Sequence, residues 1–141
     1  MKDIMLKIVG KQFENGQEET SLEFVTEGKL YKKDEALYLE YDESELSGMP
    51  GCQTRLKFVG NTVKLSRSGE DLPLDTEIEF EKGVRYKGLY ETPFGALEME
   101  VLTNDVKNDI TPEGTGSANI DYHISLKGLT DVRNQLSIEI M

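Results

Sequence analysis

The chain has 141 residues, a formal net charge of −11, one cysteine and one histidine. This length suits a single domain over residues 1–141 that buries a core without disulfides. The acidic balance argues against nucleic-acid binding, because phosphates are neutralised by clustered Lys and Arg. The lone cysteine, the charged start of the chain and the lack of any apolar segment of signal-peptide or membrane-spanning length predict a cytoplasmic protein without membrane contact.

Strand-length segments with an apolar residue at every second position follow one another almost to the end of the chain. In residues 72–81, for example, Leu74, Ile78 and Phe80 alternate with acidic residues. Strand side chains point to opposite faces in turn, so this pattern predicts an antiparallel sheet with one buried and one solvated face. In chain order the predicted strands cover residues 4–9, 20–26, 36–43, 52–59, 63–67, 72–81, 84–92, 97–110, 118–126 and 132–140.

Turn-forming residues separate these segments. Asn15-Gly16 and Gly60-Asn61 are typical of tight hairpin turns, and Thr92-Pro93-Phe94-Gly95 is typical of a turn with Pro at its second position. Longer connections are expected at residues 28–34 and 44–51, where Gly, Pro or charged residues interrupt the alternation. Short links between so many strands predict an up-and-down meander.

The alternation slips once, within residues 97–110. Leu102 and Val106 fall on the face opposite to Val101. A β-bulge adds one residue to a strand and would account for the slip, and bulges also curve barrels.

The number of strands and the short links predict the fold class. An all-β, antiparallel, closed barrel of eight to ten strands leaves no raw edges, and we favour it over a two-sheet sandwich. The terminal segments, residues 4–8 and 136–140, are expected to pair and close the barrel. An eight-stranded barrel has room for a filled core or for one small ligand.

Four motifs, taken in order, resemble a known family. They are Tyr41-Asp42-Glu43, Arg67-Ser68-Gly69, Tyr90-Glu91-Thr92-Pro93-Phe94-Gly95 and Tyr122-His123-Ile124-Ser125-Leu126. Their order over nearly the whole chain is similar to that of the YwiB-like family, a group of uncharacterised bacterial proteins with a calycin-type, lipocalin-like β-barrel. The resemblance implies this barrel and a cytoplasmic bacterial setting, and it implies no reaction. Barrels of this type often carry small apolar ligands, which is an analogy from the fold.

Strand direction and phase bring several polar side chains to one end of the predicted barrel. Alternate strands of a meander run the same way, so the strands that end near residues 43, 67 and 92 end at one mouth. Tyrosine offers a binding site flat apolar area and one hydrogen bond. The ligand-binding residues predicted for this mouth and the interior are Tyr41, Glu43, Arg67, Tyr86, Tyr90, Thr92 and Tyr122.

Glu43 and Arg67 are expected to meet inside this mouth. A lone inward charge is costly to bury, and a guanidinium matches a carboxylate bidentately. Two roles remain open for the pair: it closes the barrel end, or Arg67 offers its donors to an anionic ligand.

The other reactive groups predict no catalysis. His123 alternates with Tyr122 and is expected to face solvent beside Asp121 and Ser125. Same-face neighbours on a strand lie about 7 Å apart, too far for a hydrogen-bonded triad. Cys52 is expected to be a buried, unreactive thiol. Because no metal-ligand or phosphate-loop spacing occurs, we predict no catalytic residue, no metal and no cofactor.

Two functions are favoured for the chain, and an enzyme is a third that no activated nucleophile or acid/base pair supports. The first is a non-enzymatic barrel that binds a small, partly apolar molecule through a polar mouth. The alternative is a structural or protein–protein interaction module with a packed interior. An interior cavity of about 300 Å³ or more would favour ligand binding. Met49 and Phe94 are the candidates for a lid, or for contact with a protein partner or a second copy.

Overall fold

A computed structural model describes residues 2–14, 17–42, 52–69, 76–92, 95–126 and 130–141. These residues contain no helix, and all ten strands belong to one antiparallel sheet. In chain order the strands are β1 (Lys2–Glu14), β2 (Gln17–Lys33), β3 (Ala36–Asp42), β4 (Cys52–Val59), β5 (Thr62–Gly69), β6 (Thr76–Phe80), β7 (Arg85–Thr92), β8 (Gly95–Asn108), β9 (Ser117–Leu126) and β10 (Thr130–Ile140). The predicted all-β meander is confirmed.

The two terminal strands pair in the middle of the sheet. The strand order is β6-β5-β4-β3-β2-β1-β10-β9-β8-β7. Leu6 lies opposite Ile140, and Ile8 lies opposite Ile138. This pairing, which the alternation predicted, curls the sheet into a nearly closed barrel.

A seam remains between β6 and β7. No ladder joins the described parts of these two strands, although they are consecutive in the chain. The turn between them is fixed by a bond from Val84 N to Glu81 O of 3.0 Å. A second bond, from Gly83 N to Thr103 O of 2.9 Å, ties the turn to β8. The turn therefore bridges the seam by bonding to β8, and the two edges facing the seam stay outside the ladder.

Side-chain parity decides what the barrel buries. Leu65, Phe80 and Ile120 are at most 4% exposed. Their neighbours Lys64 and Glu79 lie on the outer face, where they stand opposite each other on β5 and β6. Alternate positions therefore build the hidden wall, as predicted.

The connection predicted at residues 28–34 is wrong, because strand β2 runs through most of it. The strand continues to Lys33, and Gly28 lies buried within it. A Cβ at Gly28 would lie 2.8 Å from Leu6 Cδ1 and 2.9 Å from the carbonyl oxygen of Glu40. Glycine serves here for close packing between neighbouring strands, so it does not mark a turn.

The turn after β2 is Asp34-Glu35. Both residues have positive φ, 52° and 67°, which a two-residue type I′ turn requires. Neither is the Gly or Asn that usually marks such a turn, so the sequence pattern missed its position. The turn predicted at Gly60-Asn61 is confirmed, since β4 ends and β5 begins on either side of it.

The phase slip in β8 is confirmed as a bulge. The register with β9 shifts between Thr103 and Asp105, which leaves Asn104 as the extra residue. Thr103 and Val106 are both buried on either side of the bulge.

The loop at residues 109–116 covers one end of the barrel. Ile110 is buried in the core, and Ile140 N donates to Gly116 O at 3.0 Å. Gly116 has φ +104°, and a Cβ there would lie 2.1 Å from the Asp109 carbonyl oxygen. The loop is therefore held against the end of β10.

Several predicted features lie outside the described residues. The strands on either side of two predicted turns do pair, at Glu14–Gln17 and at Thr92–Gly95. Of the strand predicted at 72–81, only β6 and Glu81 are described. In the part of the chain that is described, no helix is long and apolar enough to cross a membrane. The features outside are Asn15-Gly16, Glu43, residues 44–51, residues 71–75 and Pro93-Phe94.

Candidate functional site

Two rows of polar side chains cross the inner wall of the barrel. Residues paired across a ladder stand side by side on one face of the sheet. The first row, on β5, β4 and β3, is Arg67, Thr54 and Tyr41. The second row, on β8, β9 and β10, is Thr103, Tyr122 and Asn134. We call these six residues the polar belt.

The first row is built around Arg67. This side chain is half-buried, and its Nε donates to Thr54 Oγ1 at 3.3 Å. Thr54 is fully buried, and Tyr41 is buried with its ring centroid 6.4 Å from that of Phe24. The row thus places a cation and two hydroxyl groups on an otherwise apolar wall.

The second row is built around Tyr122. Its ring centroid lies 4.7 Å from that of Phe80. Burial raises the pKa of Tyr122, and the nearby positive charge of Arg67 acts in the opposite direction. Arg67 is therefore close enough to act on the Tyr122 hydroxyl, which links the two rows across the interior.

The remaining two members of the second row are almost fully buried. Asn134 donates from Nδ2 to the Val132 carbonyl oxygen at 3.2 Å. Thr103 is 1% exposed, and within the described residues its hydroxyl oxygen has no hydrogen-bond partner. The belt therefore contains one polar atom whose hydrogen bond is unmet.

A pocket of about 230 Å³ opens beside the second row. Gln12 and Leu22 have inward phase, yet both are exposed, so the inner wall meets solvent at the β1–β2 hairpin. This volume is below about 300 Å³, the lower end of the range typical of ligand pockets. Cavity size alone therefore does not favour ligand binding. The inward-phase residues that line the pocket are Gly10, Gln12, Leu22, Tyr122, Asn134 and Leu136.

Comparison with known proteins identifies the family. A family model described as a domain of unknown function, DUF1934, matches residues 6–138. The chain belongs to this family. The crystal structure of the ywiB protein from Bacillus subtilis is similar to this barrel, with a TM-score of 0.71 and 21% sequence identity over 99% of this chain and 92% of that chain. The resemblance to the YwiB-like family is confirmed, and at this identity the structural likeness shows the fold alone.

A comparison with curated proteins found no match for this DUF1934 chain. The family description names no activity. The function must therefore be argued from the site itself.

The structure brings together three of the predicted binding residues. Tyr41, Arg67 and Tyr122 all belong to the polar belt. Glu43 lies outside the described residues, so its pairing with Arg67 stays a prediction. The side chain of Tyr90 and that of Thr92 also lie outside the described part of the DUF1934 chain.

Tyr86 lies at the seam and is not a member of the belt rows. A Cβ at Gly88 would lie 3.0 Å from Tyr86 Cε1, so the tyrosine ring covers this glycine. Burial raises the pKa of Tyr86, the negative charges of Glu77 and Glu79 raise it further, and the positive charge of Lys64 lowers it. Tyr86 stands opposite the buried Val101 and packs against the core, so it has the inward phase that was predicted.

Three belt residues were absent from the predicted set. Thr54 and Asn134 are polar residues in phase with buried apolar ones, and that phase was a readable signal. Thr103 carried the same signal, because it precedes the bulge and is in phase with the buried Met99 and Val101.

The outer face carries the strongest polar cluster described in this DUF1934 barrel. Arg133 donates two hydrogen bonds to the Asp121 carboxylate, Nε to Oδ1 at 3.0 Å and Nη2 to Oδ2 at 2.5 Å. Gln135 and Asn104 also donate to Asp121, and these interactions hold the pKa of Asp121 at about 2 against the opposing effect of burial. Asn104 Nδ2 also lies 3.0 Å from His123 Nδ1.

This cluster does not form a catalytic triad. The Asn104 amide stands between Asp121 and His123, at 3.2 Å from the carboxylate and 3.0 Å from the ring nitrogen. An ionised carboxylate that already accepts several bonds is a poor base. The outer-face position predicted for His123 is confirmed.

Cys52 is buried, as predicted, on the same strand face as Thr54. Across the described ranges, no group of three or more His, Cys, Asp or Glu side chains is arranged to hold a metal ion. The polar belt remains the best-supported candidate site.

Proposed function

We propose that this DUF1934 barrel binds a small, partly apolar molecule without converting it chemically. The polar belt carries this proposal, because polar side chains inside a barrel cost free energy unless hydrogen bonds offset the loss of water. The belt offers hydrogen bonds to the polar end of a ligand, and the flanking aliphatic wall suits the apolar end.

The shape of the barrel supports the proposal. An eight-stranded barrel already has room for one small ligand, and interior width grows with strand number. Loop 109–116 packs Ile110 into one end. The exposed inward positions Gln12 and Leu22 support entry at the β1–β2 hairpin, beside Tyr122 and Asn134.

A packed interaction module is the second candidate. Its support is the pocket volume of about 230 Å³ and the large, fully buried side chains of Phe80, Leu39 and Met99. The two candidates differ in whether a small molecule occupies the pocket.

A pocket-filling variant tests the proposal. Gly10 lines the pocket, and a Cβ there would meet nothing within 4 Å. Gly10→Leu should therefore fill the pocket without breaking the fold. We expect native mass spectrometry of the wild-type protein to reveal a co-purifying small molecule, and calorimetry to detect binding of octanoate or 2-octanone. Both signals should disappear in Gly10→Leu.

Val9→Leu is the matched control, because Val9 has outward phase on the same strand. It should bind like the wild-type protein. A wild-type protein that carries no small molecule and binds neither probe would contradict the proposal and favour the interaction module.

A further inference from the structure

The Thr103 hydroxyl is the polar side-chain atom in the described interior whose hydrogen bond is unmet. It is 1% exposed and has no partner among the described residues. An unpaired buried hydroxyl destabilises a fold, and such groups are rare in native proteins. A threonine there therefore needs a reason that the packing does not supply.

The position of Thr103 is fixed by its backbone. Its carbonyl oxygen accepts a bond from Gly83 N at 2.9 Å, and the bulge at Asn104 begins directly after it. Thr103 stands opposite Tyr122, and Tyr122 stands opposite Asn134. Tyr122 and Asn134 line the pocket, and Thr103 lies beside Tyr122 on the next strand of the same row, one position beyond the pocket lining.

The chemistry of the belt points to an acceptor on the ligand. The guanidinium of Arg67 only donates hydrogen bonds, and the hydroxyls of Tyr122 and Thr103 both carry a donor. We infer that Thr103 contacts the ligand, its hydroxyl donating to a carboxylate or carbonyl oxygen at the polar end of a small amphipathic molecule. The inference rests on the proposed function and adds a specificity-determining residue and a ligand class to it.

Replacing the hydroxyl by a methyl group of similar size tests the inference. Thr103→Val should raise the melting temperature of the ligand-free protein by about 3 °C, because it removes an unpaired buried group. It should also weaken binding of octanoate or 2-octanone by about fivefold, the loss expected for one neutral hydrogen bond. Thr103→Ser keeps the hydroxyl and should keep the affinity. Comparing the two probes shows whether the acceptor is a carboxylate or a carbonyl.

Thr62→Val is the matched control, since Thr62 has outward phase on β5. It should change neither measurement. An unchanged or lower melting temperature in Thr103→Val would mean that the hydroxyl is satisfied without a ligand, and would overturn the inference. So would wild-type affinity in Thr103→Val. If the wild-type protein itself binds neither probe and carries no small molecule, the proposed function falls, and this inference falls with it.

Discussion

Arg67 shows how one residue connects the packing of the barrel to its interior electrostatics. It extends the row of Thr54 and Tyr41, and its charge reaches Tyr122 on the facing wall. A buried tyrosine has a raised pKa, and a nearby cation opposes that rise because it stabilises the phenolate. The positive charge of Arg67 therefore couples the first row to Tyr122 in the second row.

We expect Arg67→Met to raise the pKa of Tyr122 further, because it removes the one influence that lowers it. The pKa can be followed by NMR of isotope-labelled tyrosine rings. Lys64→Met is the matched control: Lys64 lowers the pKa of Tyr86, so that variant should raise the Tyr86 value and leave Tyr122 unchanged. An unchanged Tyr122 in Arg67→Met would mean that the two rows do not meet.

Asp121 gives a second prediction at the residue scale, through acid stability. Its pKa is about 2 in the folded protein, below the ordinary value of 3.8, chiefly because of the hydrogen bonds from Arg133. A lowered folded-state pKa stabilises the fold above the ordinary value, and this contribution is lost as pH falls from about 4 towards 2. Asp121→Asn should therefore flatten the fall of the urea midpoint across this window.

Asp109→Asn is the control for this measurement, since Asp109 is exposed. It should keep the wild-type pH dependence between about 4 and 2. A wild-type slope in Asp121→Asn would show that other carboxyl groups dominate acid unfolding.

The turn at Asp34-Glu35 carries the prediction at the element scale. Both residues adopt positive φ without being glycine, and this conformation costs an ordinary residue about 1 kcal/mol. Replacing the pair by Asn-Gly should raise the free energy of unfolding by about 1 kcal/mol. Urea denaturation measures the change.

Gly60→Ala is the opposite change at a comparable position. Gly60 has φ +57°, and a Cβ there would meet nothing within 4 Å, so the cost is conformational alone. This variant should lower stability by about 1 kcal/mol. If Asn-Gly at 34–35 fails to stabilise while Gly60→Ala destabilises, then the strain at Asp34 and Glu35 is relieved locally.

Alternation predicted the elements well, whereas a glycine did not always mark an end: Gly60 did and Gly28 did not. The phase of Leu65, Phe80 and Ile120 was enough to place them inside, because the two-residue periodicity is a local property of a strand. At Gly28 the sequence predicts a break, because a glycine that allows close packing and one that turns the chain look alike in sequence. The bulge in β8 was visible because it shifted Val106 out of phase.

The candidate site was predicted only in part, because its rows depend on register between strands. Arg67, Tyr41 and Tyr122 were found from phase alone. Thr54 lies between Arg67 and Tyr41 because of the register of two ladders. The local sequence does not encode that register. That Thr103 joins Tyr122 and Asn134 likewise depends on register across two ladders.

At the scale of the whole molecule, the ladder between β1 and β10 holds the barrel together. Glu139 is exposed, but its backbone lies between Lys7 on β1 and Ser117 on β9. Proline there removes a ladder hydrogen bond from a central strand and should cost about 3 kcal/mol or more. The melting temperature of Glu139→Pro should therefore fall sharply.

Glu139→Ala is the control that distinguishes the effect of the lost backbone hydrogen bond from the effect of the lost side chain. It keeps the N–H and removes only an exposed carboxylate, so its melting temperature should stay near the wild-type value. Equal losses in the two variants would mean that the side chain matters, and a small loss in both would mean that β10 is peripheral.

The seam between β6 and β7 makes the barrel unequal around its circumference. Strand β1 has a paired neighbour on both sides, whereas β7 pairs only with β8 among the described strands. Along an antiparallel edge strand, alternate N–H groups bond to the neighbour and the others point away from it. Hydrogen exchange followed by NMR should therefore show slow exchange for every amide of residues 7–12 on β1. Along β7 protection should alternate with a period of two residues. Uniform protection along β7 would mean that β6 and β7 form a ladder in solution and that the barrel is fully closed.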